Sequence, residues 1–109
     1  MTTSKAKSRK SSDYKEFLLK RLKNPEAAAG YLTASLQEGE QTFLLAVKDV
    51  AEACGGIGSL AKATNLNRQG LYDMLAEKGN PRFSSLSAIL NALGIRVEFK
   101  PKFERAKTA

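Results

Sequence analysis

Histidine and tryptophan are absent from these 109 residues, and cysteine occurs once, as Cys54. Without histidine there is no Cys/His zinc site, and one thiol cannot close a disulfide within the chain. A reducing cytoplasm is the compartment such a composition suits. No apolar run approaches the ~20 residues that a membrane-spanning helix requires. The opening "MTTSKAKSRKSS" is basic but has no apolar stretch behind it, so it is no secretory signal. Catalysis would fall to a carboxylate pair or an activated Ser or Cys. The serines and acidic residues fall at helix caps and exposed helix positions, and Cys54 falls on an apolar helical stripe as a packed core thiol. The expectation is a non-enzyme with no catalytic residue, no metal and no cofactor.

What the chain has is positive charge, unevenly spread. The net charge is +7, of which residues 1–12 carry +4. Residues 13–56 hold five basic and seven acidic side chains, a net −2. Residues 57–94 carry +2 and residues 95–109 carry +3. A slightly acidic front half and a basic second half suit a protein that meets nucleic acid with one part and another partner with the other. At this length one domain with a modest core is expected. Its bounds are a disordered basic tail over 1–12, a domain over 13–101 and a flexible basic C-terminus over 102–109.

Helical periodicity dominates the domain. Asp13 can cap a helix carrying Tyr14, Phe17, Leu18 and Leu22 at helical spacing. Asn24-Pro25 ends it and starts another, "PEAAAGYLTASLQE", which stops at Gly39. Phe43, Leu44, Val47, Val50, Ala51 and Cys54 form the most regular apolar stripe. The glycines that follow give G-x-G-x-x-A at Gly56, Gly58 and Ala61. A helix rather than a strand precedes them, so a dinucleotide fingerprint is rejected. Two short helices follow, about 59–64 and 68–77, then the loop "EKGNPRF". A last helix is capped by Ser84 or Ser85, buries Leu86, Ile89, Leu90 and Leu93, and ends at Gly94. Finally Ile95, Val97 and Phe99 alternate with Arg96, Glu98 and Lys100, the pattern of one half-buried strand. A lone strand has unpaired backbone edges, which makes Ile95, Val97 and Phe99 a candidate pairing surface for a homodimer.

The stretch "GSLAKATNLNRQGLYDML" carries the functional reading. Two helices joined by three residues cross steeply only when the crossing residues are small and apolar. Ala61 is small, Leu66 and Leu71 plug the angle, and Met74 and Leu75 continue the buried side. Asn65 sits where the turn needs a positive φ, and Asn67 caps the second helix. In that geometry the start of the second helix enters the DNA major groove, with Asn67, Arg68, Gln69 and Tyr72 against base edges. Arg grips guanine O6/N7 and Gln adenine N6/N7 through two hydrogen bonds each. Tyr72 serves equally for packing beside Leu75. Gly70 reads either as a close approach to DNA or as a tolerated defect. Ser59, Lys62, Lys78, Asn80 and Arg82 flank the pair as candidate phosphate contacts, which position without specifying sequence. No set of stacking aromatics points to RNA.

Residues 57–94 resemble the lambda-repressor/Cro-like helix-turn-helix domain. The longer stretch 13–101 is similar to the addiction-module antidote proteins of bacteria. "YKEFLLKRLKNPEAAAGYLTASLQEGE", "FLLAVKDVAEACGGIGSLAKATNLNRQGLYDML" and "GNPRFSSLSAILNALGIRVEFKP" carry the likeness. Asn65 departs from the usual turn glycine and Gly70 from the more common Ser or Glu. The resemblance implies an all-α helical bundle with an N-terminal helical extension, a helix-turn-helix over 57–94 and one short C-terminal strand. It implies a type II antitoxin that silences a RelE- or HigB-like toxin and represses the operon encoding both, binding double-stranded operator DNA as a homodimer. The alternative is a prophage-type or stand-alone repressor without a toxin, whose domain physics would be the same. The acidic front half suits docking of a basic partner.

Overall fold

Asn24 and Gly39 are the first two joints of the fold. The computed structural model describes residues 3–103, with side chains from Asp13 onward. In it α1 runs Thr3–Leu22, α2 Pro25–Glu38 and α3 Glu40–Ala53. Asn24 Oδ1 accepts hydrogen bonds from the backbone N–H of Glu26 at 2.8 Å and of Ala27 at 3.3 Å. Two donors that have no partner inside the helix are thereby satisfied, and Pro25 occupies a position where no N–H is needed. At Gly39 φ is +147°, a conformation open to glycine, and α3 begins at the next residue.

α1 starts well ahead of Asp13, so Asp13 lies inside the helix and caps nothing. Residues 3–12, expected as a disordered tail, are helical, with no proline or glycine to interrupt them. Of the expected flexible C-terminus, residues 104–109 lie outside the described residues.

α3 is the central helix and touches α1, α2 and α4. Val47 and Val50 are fully buried on it, beside Phe43, Leu44 and Ala51, and Leu18, Leu22, Ala28 and Leu32 close the core from α1 and α2. Each fully buried large aliphatic side chain stabilises the fold by roughly 1.5–3 kcal/mol. Tyr14 and Phe17 do not join this core: they are 63% and 60% exposed, while Leu18 and Leu22 of α1 are buried in it. Tyr31 Oη donates to Asp49 Oδ2 at 2.7 Å and ties α2 to α3. Burial first, then the hydrogen bond to Asp49 and its negative charge, push the Tyr31 hydroxyl well above the ordinary tyrosine value.

The second half holds α4 at Gly56–Thr64, α5 at Arg68–Met74 and α6 at Phe83–Ala92. α4 packs on α3, α5 and α6, with Ile57, Leu60, Leu71, Leu75, Ile89 and Leu90 buried between them. Cys54 is exposed rather than packed: α3 ends at Ala53, and at φ −102° and ψ 30° the thiol leaves the buried stripe. Arg82, not Ser84 or Ser85, is the N-cap residue of α6, and no side chain caps that helix. In the loop before it, Lys78 is left-handed at φ +85°. A Cβ on Gly79 would collide with the backbone carbonyls of Asp73 and Met74, so the loop fits against the end of α5 only without a side chain there.

Among the described residues there are six helices and no strand. The strand expected at Ile95, Val97 and Phe99 is absent from the chain taken singly, because a strand needs a hydrogen-bonded neighbour and none lies beside it. The chain instead leaves α6 through Gly94 at φ +82°. Gly94 N–H donates to Asn91 O at 3.0 Å and Ile95 N–H to Leu90 O at 2.9 Å, a paired closure of the helix C-terminus. It directs Ile95 back onto the core, where that side chain is half-buried, while Val97 and Phe99 are 42% and 88% exposed.

Candidate functional site

The joint between α4 and α5 is built from three residues, Asn65, Leu66 and Asn67. Asn65 takes the left-handed conformation expected of it, φ 67° and ψ 22°, and its N–H donates to Ala61 O at 2.8 Å. Asparagine tolerates this region better than other non-glycine residues. The Thr64 hydroxyl donates to Leu60 O at 2.8 Å and accepts from Leu66 N–H at 3.3 Å, so the turn is held from both sides. Asn67 Oδ1 accepts from Gly70 N–H at 2.9 Å and caps α5. Leu71 is completely buried, Leu75 nearly so, and Ala61, Leu66 and Met74 pack partly buried against the same core. The angle between α4 and α5 therefore rests on Leu71 below and the Asn65 backbone above.

This packing turns the start of α5 outward. Arg68, Gln69 and Tyr72 are exposed, as are the cap Asn67 and all five flanking residues: Ser59 and Lys62 on α4, Lys78 and Asn80 in the loop, and Arg82 before α6. Arg68 leans toward the first turn of α4: a Cβ on Gly58 would come within 3.9 Å of Arg68 Cζ. Gln69 Nε2 donates to Asp73 Oδ1 at 3.1 Å, which holds its amide along the outer face of α5. Asn67 spends its side-chain oxygen on the cap, leaving its amide N–H groups outward. Lys78 N–H donates to Gln41 Oε1 at 3.0 Å, which ties the loop to the start of α3. A Cβ on Gly70 would meet only ordinary contacts with Asn67, so packing does not require glycine there.

The cations of this surface form no ion pair among the described residues. The two ion pairs among the described residues are Lys15–Glu52 at 3.2 Å and Arg96–Glu98 at 3.3 Å. Neither involves Lys62, Arg68, Lys78 or Arg82, which stay available to an anion. Ile95, Val97 and Phe99 lie elsewhere, beside Leu36, Phe43, Phe83 and Leu90 along one apolar groove. Periodicity did not reveal that groove, since its walls come from α2, α3 and α6, far apart in sequence. Nor did it reveal the Tyr31–Asp49 bond, for the same reason. No group of three or more acidic or cysteine side chains that could hold a metal ion occurs among the described residues. No helix of the described residues is long and apolar enough to cross a membrane.

Comparison with known proteins identifies a family. A family model described as "probable addiction module antidote protein" matches residues 13–101. An uncharacterized protein of Haemophilus influenzae is 32% identical over 69 residues, which span 62% of this chain and 70% of that protein. No solved structure matches. A match from Asp13 to Pro101 takes in all the packed helices as well as the α4–α5 joint, and on it the chain belongs to the addiction module antidote protein family.

Proposed function

We propose that this chain is the DNA-binding antitoxin of a type II toxin–antitoxin system. It neutralises a cognate toxin of the RelE or HigB kind and represses the operon that encodes both, acting in the cytoplasm. Family membership supports the antitoxin half of this reading. The α4–α5 joint supports the DNA half: a left-handed Asn65, a Leu71 buried beneath it and a second helix that opens on solvent are what a lambda-repressor-like helix-turn-helix requires. That exposed opening is the observation that carries the proposal. In the major groove, Arg68 donates its fork to guanine O6 and N7. Gln69 trades its bond to Asp73 for adenine N6 and N7, and the Asn67 amide and Tyr72 hydroxyl contact neighbouring edges. Ser59, Lys62, Lys78, Asn80 and Arg82 hold phosphates and fix the register. A two-fold homodimer reads two half-sites with centres about 34–36 Å apart.

The toxin docks on the helical front half, where residues 13–56 carry a net −2 that complements a basic ribonuclease. The test of this half is co-expression. The expected result is that a small basic protein encoded beside this one arrests growth when produced alone, and that this chain, co-produced, restores growth and co-purifies with it. If that product neither arrests growth nor binds the chain, the toxin half fails and a stand-alone repressor remains.

A further inference from the structure

Beyond Gly94 the chain carries a self-complementary edge. Residues 96–100 make no backbone hydrogen bond among the described residues, although the segment leaves α6 in a fixed direction through the Gly94 and Ile95 closure. Ile95, Val97 and Phe99 lie along the apolar groove, and Arg96 and Glu98, at the alternate positions, touch its rim and are 84% and 53% exposed. The groove is incompletely covered: Phe99 is 88%, Phe83 66% and Leu36 57% exposed. Open apolar surface of this kind, beside backbone with free donors and acceptors, is the requirement for adding a strand.

We infer that the occupant is a second copy of the same segment, paired antiparallel about a two-fold axis at Val97. In this register Val97 faces its own copy, Arg96 faces the partner's Glu98, and Ile95 faces the partner's Phe99. Both charged pairs are then cross-strand neighbours, which stabilises such a ladder, and like charges directly opposite destabilise it. The neighbouring registers fail on this ground. A slip of one residue sets charged against apolar side chains on each face. A slip of two sets Arg96 against Arg96 of the second copy, or Glu98 against Glu98. A parallel, in-register pairing also sets like against like. The sequence "IRVEF" is thus balanced around its central valine for one pairing, with itself. All the apolar side chains of the resulting ribbon point the same way, so its one face caps the grooves of both copies. The packed helices beneath supply what an isolated two-stranded ribbon lacks.

The inference deepens the dimer of the proposed repressor, yet its test uses neither DNA nor toxin, so the two fail separately. The full chain is measured by sedimentation equilibrium, and helicity is recorded alongside. The wild type weighs twice the 11.8-kDa chain. Arg96→Glu alone and Glu98→Arg alone each raise the dissociation constant by about tenfold or more, because each sets like charges opposite across the axis. The double reversal, Arg96→Glu with Glu98→Arg, returns it to within about threefold of wild type. Helicity is unchanged throughout, since both side chains are exposed and lie beyond α6. A wild type that stays monomeric at about 100 µM overturns the inference. So does a dimer indifferent to the single reversals, or a double reversal as weak as either single one.

Discussion

Truncating Leu71 tests whether the α4–α5 angle depends on a plug between the helices. Leu71 has no exposed surface. The helix that carries it is only seven residues long and packs chiefly on α4, so few other contacts hold it in place. Leu71→Ala removes buried methyl groups and leaves a cavity that a tightly held turn, with Asn65 and Thr64 bonded on both sides, closes poorly. Such truncations cost about 2–5 kcal/mol, and about 3 kcal/mol is expected here. In a domain of this size that lowers Tm by roughly 10–20 °C. The comparison is Leu45→Ala, whose side chain is 57% exposed on α3 and whose loss falls within about 0.5 kcal/mol of zero. Both are read by thermal and urea unfolding followed through helical circular dichroism. If Leu71→Ala melts with Leu45→Ala, the joint does not rest on Leu71, and the argument from its burial to a fixed presentation of α5 collapses.

Other perturbations probe the remaining links. Asn65→Gly leaves stability nearly unchanged, because φ is already left-handed, whereas Asn65→Val costs about 1–2 kcal/mol in the same melt; equal effects would show that the turn does not depend on that conformation. Stability falls as pH rises above about 10, because the unfolded chain then loses the Tyr31 proton while the folded chain keeps it. Tyr31→Phe flattens that part of the pH–stability curve, and an unaltered slope would separate Tyr31 from alkaline unfolding. Arg68→Ala costs about 1–3 kcal/mol of operator affinity and relaxes one base position in a binding titration; an equal loss on every sequence would reduce Arg68 to a phosphate contact.

Local chemistry was legible in the sequence wherever one residue decides the backbone. Asn24 before Pro25 fixed a cap, Gly39 a break and Asn65 a left-handed turn, and all three appear in the structure. The stripes on α3 and the core of α4–α5 were legible because burial follows a helical period. Helix ends without a breaker were not. Asp13 had the chemistry of a cap, but nothing ahead of it stops α1. Ser84 and Ser85 had it too, yet the loop that carries Gly79 brings Arg82 to the cap position. Cys54 continued a period that its helix did not, since α3 ends one residue earlier. The segment Ile95–Phe99 alternates like a strand, but alternation describes a side-chain pattern and a strand also needs a neighbour's backbone. Of the candidate site, sequence identified residues that the structure leaves exposed around the joint. The Asn67 cap was legible too, but the bond of Gln69 to Asp73 within α5 was not, because that depends on a rotamer.

The most direct test of the DNA reading is a selection of random duplexes by the purified full chain at moderate and at high salt, followed by sequencing of what stays bound. The expected result is an inverted repeat whose half-sites lie about one helical turn apart, still selected when salt has weakened the phosphate contacts. Binding that fades with salt and enriches no sequence would contradict it, and would leave α4 and α5 as a scaffold for some other partner.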